Sequence, residues 1–153
     1  MRNIKVVIEY DGTDFHGFQI MPDMPTIQAA LEAKLSLITK EPIRVMGACR
    51  TDAGVHAVGQ VINFKTCCQI PVNRVPLALN SLPPFSIMAR SAEEMPEDFS
   101  ARRDARSRVY RYTILNQEEP SVFLGRFSYR FPHSMNLGRM SEAAGILVGT
   151  HGR

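Results

Sequence analysis

One stretch of the chain carries residue types that could act in catalysis. Within residues 47–57, an arginine (Arg50) and an aspartate (Asp52) lie two positions apart and are bracketed by glycines. Apolar runs at 43–46 and 58–64 flank the stretch, and this pattern predicts a long loop between two strands. Binding and catalytic residues concentrate in such loops.

The chemistry open to this loop follows from its two charges. Arg50 and Asp52 can form a charge-assisted pair if the loop folds back on itself. A neighbouring guanidinium favours the ionised carboxylate, and an ionised, partly desolvated aspartate can act as a nucleophile. The same residues also fit an ordinary surface turn, in which the aspartate binds backbone amides and the arginine is solvated.

The composition is that of an ordinary globular domain. The chain has 153 residues, of which 44% are hydrophobic and 22% charged, enough for one real core. The sequence shows neither an apolar run long enough to cross a membrane nor a signal peptide. Its three cysteines and four histidines show no metal-ligand spacing. The sequence therefore predicts no disulfide framework, no metal site and a reducing cytoplasmic location.

Positive charge is concentrated in one segment. Residues 102–111 contain five arginines and one aspartate, whereas the whole chain carries a net charge of only +3. A local arginine cluster is a candidate phosphate-binding surface. A solvated, arginine-rich loop is the alternative.

The hydrophobic periodicity predicts the element order β-α-β-β-α-β in the first part of the chain. The expected strands are 4–10, 43–46, 58–64 and 87–92, and the expected helices are 27–41, after the N-cap Thr26, and 72–80. This order is the ferredoxin-like unit of the α+β class, with a mostly antiparallel sheet. Helices cover one face of such a sheet and leave the other open for a ligand.

A second part is predicted from residue 99 onward, which divides the chain into 1–98 and 99–153. Its expected elements are strands at 108–115 and 127–131 and an amphipathic helix at 137–148. Tyr110 and Tyr112 alternate on the first of these strands. Tyrosines that alternate on a strand usually pack in the core, and Tyr112 is predicted to do so.

Several segments resemble the tRNA pseudouridine synthase A family. The loop 47–57 resembles the catalytic motif Gly-x-Gly-Arg-Thr-Asp-x-Gly-Val-His-Ala, with Cys49 in place of one glycine. Residues 10–19 form a glycine-rich loop whose aromatics are expected to be exposed, with a loop that packs its own aromatics as the alternative. This segment resembles the opening motif, which lines the RNA-binding cleft. Phe-x-Ala-Arg followed by Arg-x-Tyr-x-Tyr, within 99–112, resembles the second active-site segment, with Ser100 where a histidine is frequent.

The resemblance implies that the protein isomerises uridine to pseudouridine in the anticodon stem-loop of tRNA, without a metal or small-molecule cofactor. Asp52 is then the nucleophile, and Arg50 keeps it ionised and helps to hold the flipped nucleotide out. Substrate binding is assigned to Tyr110, Arg102, Arg103, Arg106, Phe15 and His16, with Tyr110 stacking on the target base. The resemblance also implies a homodimer at full length.

Family members continue beyond Gly149-Thr150-His151 with a second half, whereas this chain has Gly152-Arg153. We therefore expect a truncated chain that binds RNA weakly and makes no pseudouridine by itself. Two other classes stay open from the residues. The absence of the Lys/Arg-Gly-aromatic signature of RNA-recognition motifs argues against a non-catalytic RNA-binding module with a ferredoxin-like sheet. A glycoside hydrolase would need a second carboxylate beside Asp52, for which the sequence offers no obvious candidate.

Overall fold

A computed structural model of the chain describes residues 1–151. Gly152 and Arg153, which replace the expected continuation, lie outside the described residues. The chain forms two compact units, Met1–Val109 and a second that begins at Tyr110. The predicted division between residues 98 and 99 stays a prediction. Within residues 1–151, every helix is too short or too polar to cross a membrane.

The first unit is a four-stranded antiparallel sheet with two helices. Its strands pair in the order β2-β3-β1-β4. The elements are β1 (Arg2–Tyr10), α1 (Ile27–Thr39), β2 (Val45–Gly47), β3 (Ala57–Thr66), α2 (Val75–Asn80) and β4 (Ile87–Met95), with a 3₁₀ turn at Val72–Arg74 before α2. The predicted β-α-β-β-α-β order and the α+β, ferredoxin-like class are confirmed.

Helix α1 begins and ends with recognisable caps. The hydroxyl of the predicted N-cap, Thr26, accepts a hydrogen bond from the amide of Ala29 at 3.4 Å, which satisfies one of the free amides at the helix start. The helix ends at Thr39, because Lys40 adopts a left-handed conformation with φ of 59°. The helix therefore stops before the expected breaker, Pro42.

The core lies between the helices and one face of the sheet. The fully buried side chains on that face alternate along β1 and β3, as their period-two patterns predict; they are Ile4, Val6, Ile8, Ile62 and Phe64. Helix α1 contributes Ile27, Leu31 and Leu35. The opposite face of β1 carries Lys5, Val7 and Glu9, which are partly exposed.

The second unit has little regular structure. It contains strands β5 (Ile114–Leu115) and β6 (Tyr129–Arg130), paired in parallel, and helix α3 (Leu137–Ile146). The helix is confirmed, although all of its residues are exposed.

The long strand expected over 108–115 is wrong, because only its last two residues find a partner strand. The core assignment of Tyr112 is also wrong. Its side chain is 76% exposed, and its ring lies near that of Tyr129, with centroids 6.3 Å apart. A two-residue strand pair provides no second layer against which an alternating tyrosine could be buried.

Candidate active site

The loop that joins β2 to β3, residues 48–56 (the Asp52 loop), is the connection expected from the sequence. The side chains of Arg50 and Asp52 are both exposed. The ion pairs of the described residues do not include one between them. The charge-assisted pair that their spacing allows is therefore not formed here, and the loop is held through its other residues.

The start of the Asp52 loop is fixed by strand β3. The side-chain amide of Gln60 donates a hydrogen bond to the backbone carbonyl of Cys49 at 2.7 Å. Cys49 stands where the resembling motif has glycine, yet among the described residues the non-glycine residues with positive φ are Asp23 and Lys40. The backbone at Cys49 is therefore one that any L-residue adopts, and the cysteine is compatible with this loop.

The opening motif, residues 10–19, packs directly against the Asp52 loop. The amide of Phe18 donates to the carbonyl of Thr51 at 2.9 Å, and the amide of Gly54 donates to the carbonyl of Phe15 at 3.2 Å. The hydroxyls of Tyr10 and Thr51 lie 2.8 Å apart. These contacts fix the backbone on both sides of the aspartate while its carboxylate faces solvent.

Two glycines allow this close approach. A Cβ atom on Gly12 would lie 2.1 Å from the carbonyl oxygen of Val55. A Cβ atom on Gly17 would lie 2.8 Å from the carbonyl oxygen of Thr51, and the φ of Gly17 is +88°. Any larger residue at either position would force the two segments apart.

His56 holds the end of the Asp52 loop. Its Nδ1 accepts a hydrogen bond from the amide of Gly12 at 3.1 Å. Nδ1 also lies 3.1 Å from a carboxylate oxygen of Asp11, so the ring joins the end of the Asp52 loop to the start of the opening motif.

The aromatic residues of the opening motif are not exposed, contrary to expectation. Phe15 and Phe18 retain 8% and 2% of their surface and belong to the core. The alternative interpretation, a loop that packs its own aromatics, is confirmed. His16 is exposed. The ring of Phe15 leaves little surface for RNA, and the substrate-binding roles of Phe15 and His16 stay predictions.

The basic segment belongs to the first unit as far as Val109, and contacts near both ends of this part attach it there. We call residues 101–107 the arginine arch. At its start the Ser100 hydroxyl lies 3.0 Å from the sulfur of Met46, and after its end the Arg108 guanidinium donates to the carbonyl of Ala48 at 2.9 Å. The exposed residues between these points include three arginines, Arg102, Arg103 and Arg106, and Arg103 donates to the carbonyl of Asp98 at 2.9 Å.

Sequence reasoning missed Gln60 and Arg108. Gln60 interrupts an apolar run of β3, and this was the only signal available for it. Arg108 was grouped with the other arginines, whereas its contact with Ala48 joins the basic segment to the Asp52 loop. Tyr110 belongs to the second unit, where 71% of its surface is exposed. Within residues 1–151, three or more metal-ligating side chains do not converge anywhere.

Comparison with known proteins identifies the family of this chain. The profile of the tRNA pseudouridine synthase family matches residues 6–104, which include the opening motif, the Asp52 loop and the start of the arginine arch. This chain belongs to that family. The family assignment agrees with the ferredoxin-like sheet of the first unit.

Curated relatives are similar over nearly the whole chain. A protein of Caldicellulosiruptor bescii is 41% identical over 151 residues, or 99% of this chain and 62% of the relative. A protein of Brevibacillus brevis is 44% identical with the same coverage. One of Oceanobacillus iheyensis is 42% identical over 99% of this chain and 60% of the relative. All three are named tRNA pseudouridine synthase A. The chain thus spans about three fifths of their length.

Proposed function

We propose that this chain is the aspartate-bearing part of an enzyme that isomerises uridine to pseudouridine in tRNA. The observation that carries the proposal is the Asp52 loop, whose backbone the opening motif fixes on both sides while the carboxylate stays exposed. A rigid backbone with an accessible nucleophile is what a covalent reaction with a macromolecular substrate requires. Family membership supports the same reaction.

In this reaction the bond between N1 of uracil and C1′ of ribose breaks, and a bond between C5 and C1′ forms. The proton on C5 is lost and N1 gains one, so the composition of the nucleotide is unchanged. Asp52 is the nucleophile that carries the intermediate. Arg50, two residues away, balances the charge of the carboxylate when the substrate excludes water.

The target base is stacked in RNA, so it has to be flipped out at a cost of a few kcal/mol. Tyr110 offsets part of this cost by stacking on the base, a contact that contributes about 1–3 kcal/mol. The three arginines of the arch bind phosphates and so position the RNA without reading its sequence.

The finer assignments follow from the same family resemblance. They are the anticodon stem-loop of tRNA as substrate, a homodimer of the full-length protein, and action in the cytoplasm. Each assignment can be tested separately from the reaction, and the role of Asp52 does not depend on any of them.

The reaction is tested with a chimaera in which this chain replaces the matching region of the Brevibacillus brevis relative. We expect it to form pseudouridine in unmodified tRNA, measured by mass spectrometry after chemical labelling. A chimaera that folds and binds tRNA without forming pseudouridine would contradict the proposal. It would indicate a non-catalytic RNA-binding module instead.

A further inference from the structure

Two asparagines lie buried side by side in the sheet, on the face that the helices leave open. Asn3 on β1 and Asn63 on β3 retain 1% and 5% of their surface. Their positions are diagonal neighbours, since Asn3 pairs with Lys65 and Lys5 with Asn63. Buried amides are costly unless their polar atoms are bonded, so their partners indicate what the pair does.

The partners lie in the segment that leads into the arginine arch. The Asn63 amide group donates to the side-chain oxygen of Asn3 at 2.9 Å. The Asn3 amide group donates to the carbonyls of Pro96 and Phe99 at 3.0 and 2.9 Å. The side-chain oxygen of Asn63 accepts from the backbone amide of Ala101 at 2.9 Å. Asn3 also reaches the carbonyl of Glu97 at 3.5 Å, so the pair bonds four points of one short segment.

This anchor ends where the exposed arginines begin. Ala101 is 2% exposed, whereas the next two residues, Arg102 and Arg103, are exposed. Ser100 reinforces the turn, because its amide donates to the carboxylate of Asp104 at 2.8 Å and its carbonyl accepts the Asp104 amide at 2.9 Å. The two guanidinium groups therefore start from a backbone that is fixed to the sheet.

The same two strands also carry the candidate active site. Strand β3 begins directly after the Asp52 loop, and β1 leads directly into the opening motif. An anchor on these strands therefore fixes the arginines relative to the aspartate. Without it, the arch would remain attached through Ser100 and Arg108 but could shift on the sheet.

We propose that Asn3 and Asn63 are positioning residues that hold the arginine arch in register with the Asp52 loop, so that several arginines contact successive phosphates of one RNA at once. The inference rests on the proposed function for its ligand, the sugar-phosphate backbone of tRNA. It adds that the asparagine pair determines how many phosphates the arch contacts at once. Neither the net charge nor a sequence motif reveals this property.

The test compares Asn63→Ala with Asn80→Ala in the 153-residue chain. Asn80 is a matched control, because its side chain also bonds a backbone amide and carbonyl, those of Ala89, at 2.7 and 2.9 Å. Those contacts lie between α2 and β4, away from the arch. Thermal melts are used to compare the loss of stability in the two variants.

Two readouts separate positioning from general destabilisation. In Asn63→Ala, amide exchange at Ala101 should accelerate by about tenfold or more, because its acceptor is lost. The slope of log affinity for an unmodified tRNA transcript against log salt should fall by about one or two units, since each phosphate contact contributes slightly less than one. Asn80→Ala should change neither readout.

An unchanged salt slope in Asn63→Ala, with the wild-type chain binding tRNA, would overturn the inference. If Asn63→Ala does not fold, Asn3→Ala decides by the salt slope alone, because it removes the donor to Pro96 and Phe99 but leaves the acceptor of the Ala101 amide in place. A wild-type chain without salt-dependent tRNA binding contradicts the proposed function, and exchange at Ala101 then decides whether the pair anchors the arch.

Discussion

At the scale of single residues, the candidate site combines a fixed backbone with exposed functional groups. Thr51, next to Asp52, uses both its hydroxyl and its carbonyl to contact the opening motif. Asp52 and Arg50 project freely beside it. Their chemistry therefore depends on the substrate, which has to exclude the water that now solvates both groups.

Asp52→Asn should abolish pseudouridine formation by the chimaera, by at least about a thousandfold, because the amide cannot act as the nucleophile. Affinity for tRNA should stay within a few-fold, since the residue is assigned to chemistry rather than to phosphate binding. Both are measured by product assay and filter binding. Asp23→Asn, at another exposed aspartate, is the control. Near-normal rates in Asp52→Asn would remove the nucleophile assignment.

Tyr110→Ala should weaken the stacking on the flipped base by about 1–3 kcal/mol, which lowers turnover about 5- to 150-fold. Tyr112→Ala is the matched control, because its ring is similarly exposed in the same unit. The two variants are compared by single-turnover rate and by thermal melt. Equal losses of activity in both would contradict a specific role for Tyr110.

At the scale of elements, the sequence predicted what depends on local pattern. The four strands and two helices of the first unit follow from alternation and helical spacing, and Thr26 caps α1 as expected. Lys34 could not be predicted, because lysine is almost never fully buried. Its ammonium donates to the carbonyls of Pro84 and Ile87 at 2.8 and 3.1 Å, and burial lowers its pKa.

The candidate site was likewise predictable only where it depends on local sequence pattern. The position of the Asp52 loop follows from its flanking strands, whereas its contact with the opening motif joins segments far apart in sequence. Gly12 shows the difference: its sequence signal is a turn, but its actual constraint is the Val55 carbonyl. Likewise, Asn63 reads as one polar residue in a strand until its partner Asn3 is known.

Gly12→Ala should lower the free energy of unfolding by about 1–3 kcal/mol, because the new methyl group would overlap the Val55 carbonyl. It should also reduce turnover by displacing the Asp52 loop. Gly59→Ala, in β3, is the control, since a methyl group there meets open space. Urea denaturation gives the free energy of unfolding of both variants. A Gly12→Ala variant as stable as Gly59→Ala would show that the loops tolerate separation.

Glu41 joins the segment after α1 to the end of β3. Its carboxylate accepts hydrogen bonds from the hydroxyl of Thr66 and from the amides of Cys67 and Cys68 at 3.0 and 3.3 Å. These bonds, that of Thr66 first, lower the pKa of Glu41 below its usual value of 4.5. Its contribution to stability is therefore present above pH 4.5 and lost as the pH falls through the lowered pKa.

Glu41→Gln should accordingly reduce the difference in stability between pH 7 and pH 3, measured by urea denaturation at both values. The acid sensitivity should not vanish, because the Arg2 guanidinium also lowers the pKa of Glu94. Glu142→Gln, exposed on α3, is the control. An unchanged pH dependence in Glu41→Gln would show that its hydrogen bonds do not survive in solution.

At the scale of the whole molecule, the central strands of the sheet organise the candidate RNA surface. Strands β1 and β3 are neighbours in the middle of the order β2-β3-β1-β4. They carry the opening motif, the Asp52 loop and the asparagine pair. Tyr110 and the residues after it form a separate unit, and the chain spans 62% of its Brevibacillus brevis relative.

We expect the 153-residue chain to bind tRNA but to form no pseudouridine, in contrast to the chimaera. The arginine arch is exposed and anchored, so phosphate contacts are available. The Asp52 carboxylate is solvated, and electrostatic stabilisation of a transition state requires a dry, preorganised pocket.

Changing Arg102, Arg103 and Arg106 together to Gln should lower the salt slope of tRNA binding by about two to three units. The matched triple variant, with Lys40, Arg74 and Arg139 changed to Gln, should leave it unaltered. Turnover by the chain alone at the rate of the chimaera would show that the exposed aspartate is already competent, and equal slopes in the two triple variants would assign tRNA binding to net charge rather than to the arch.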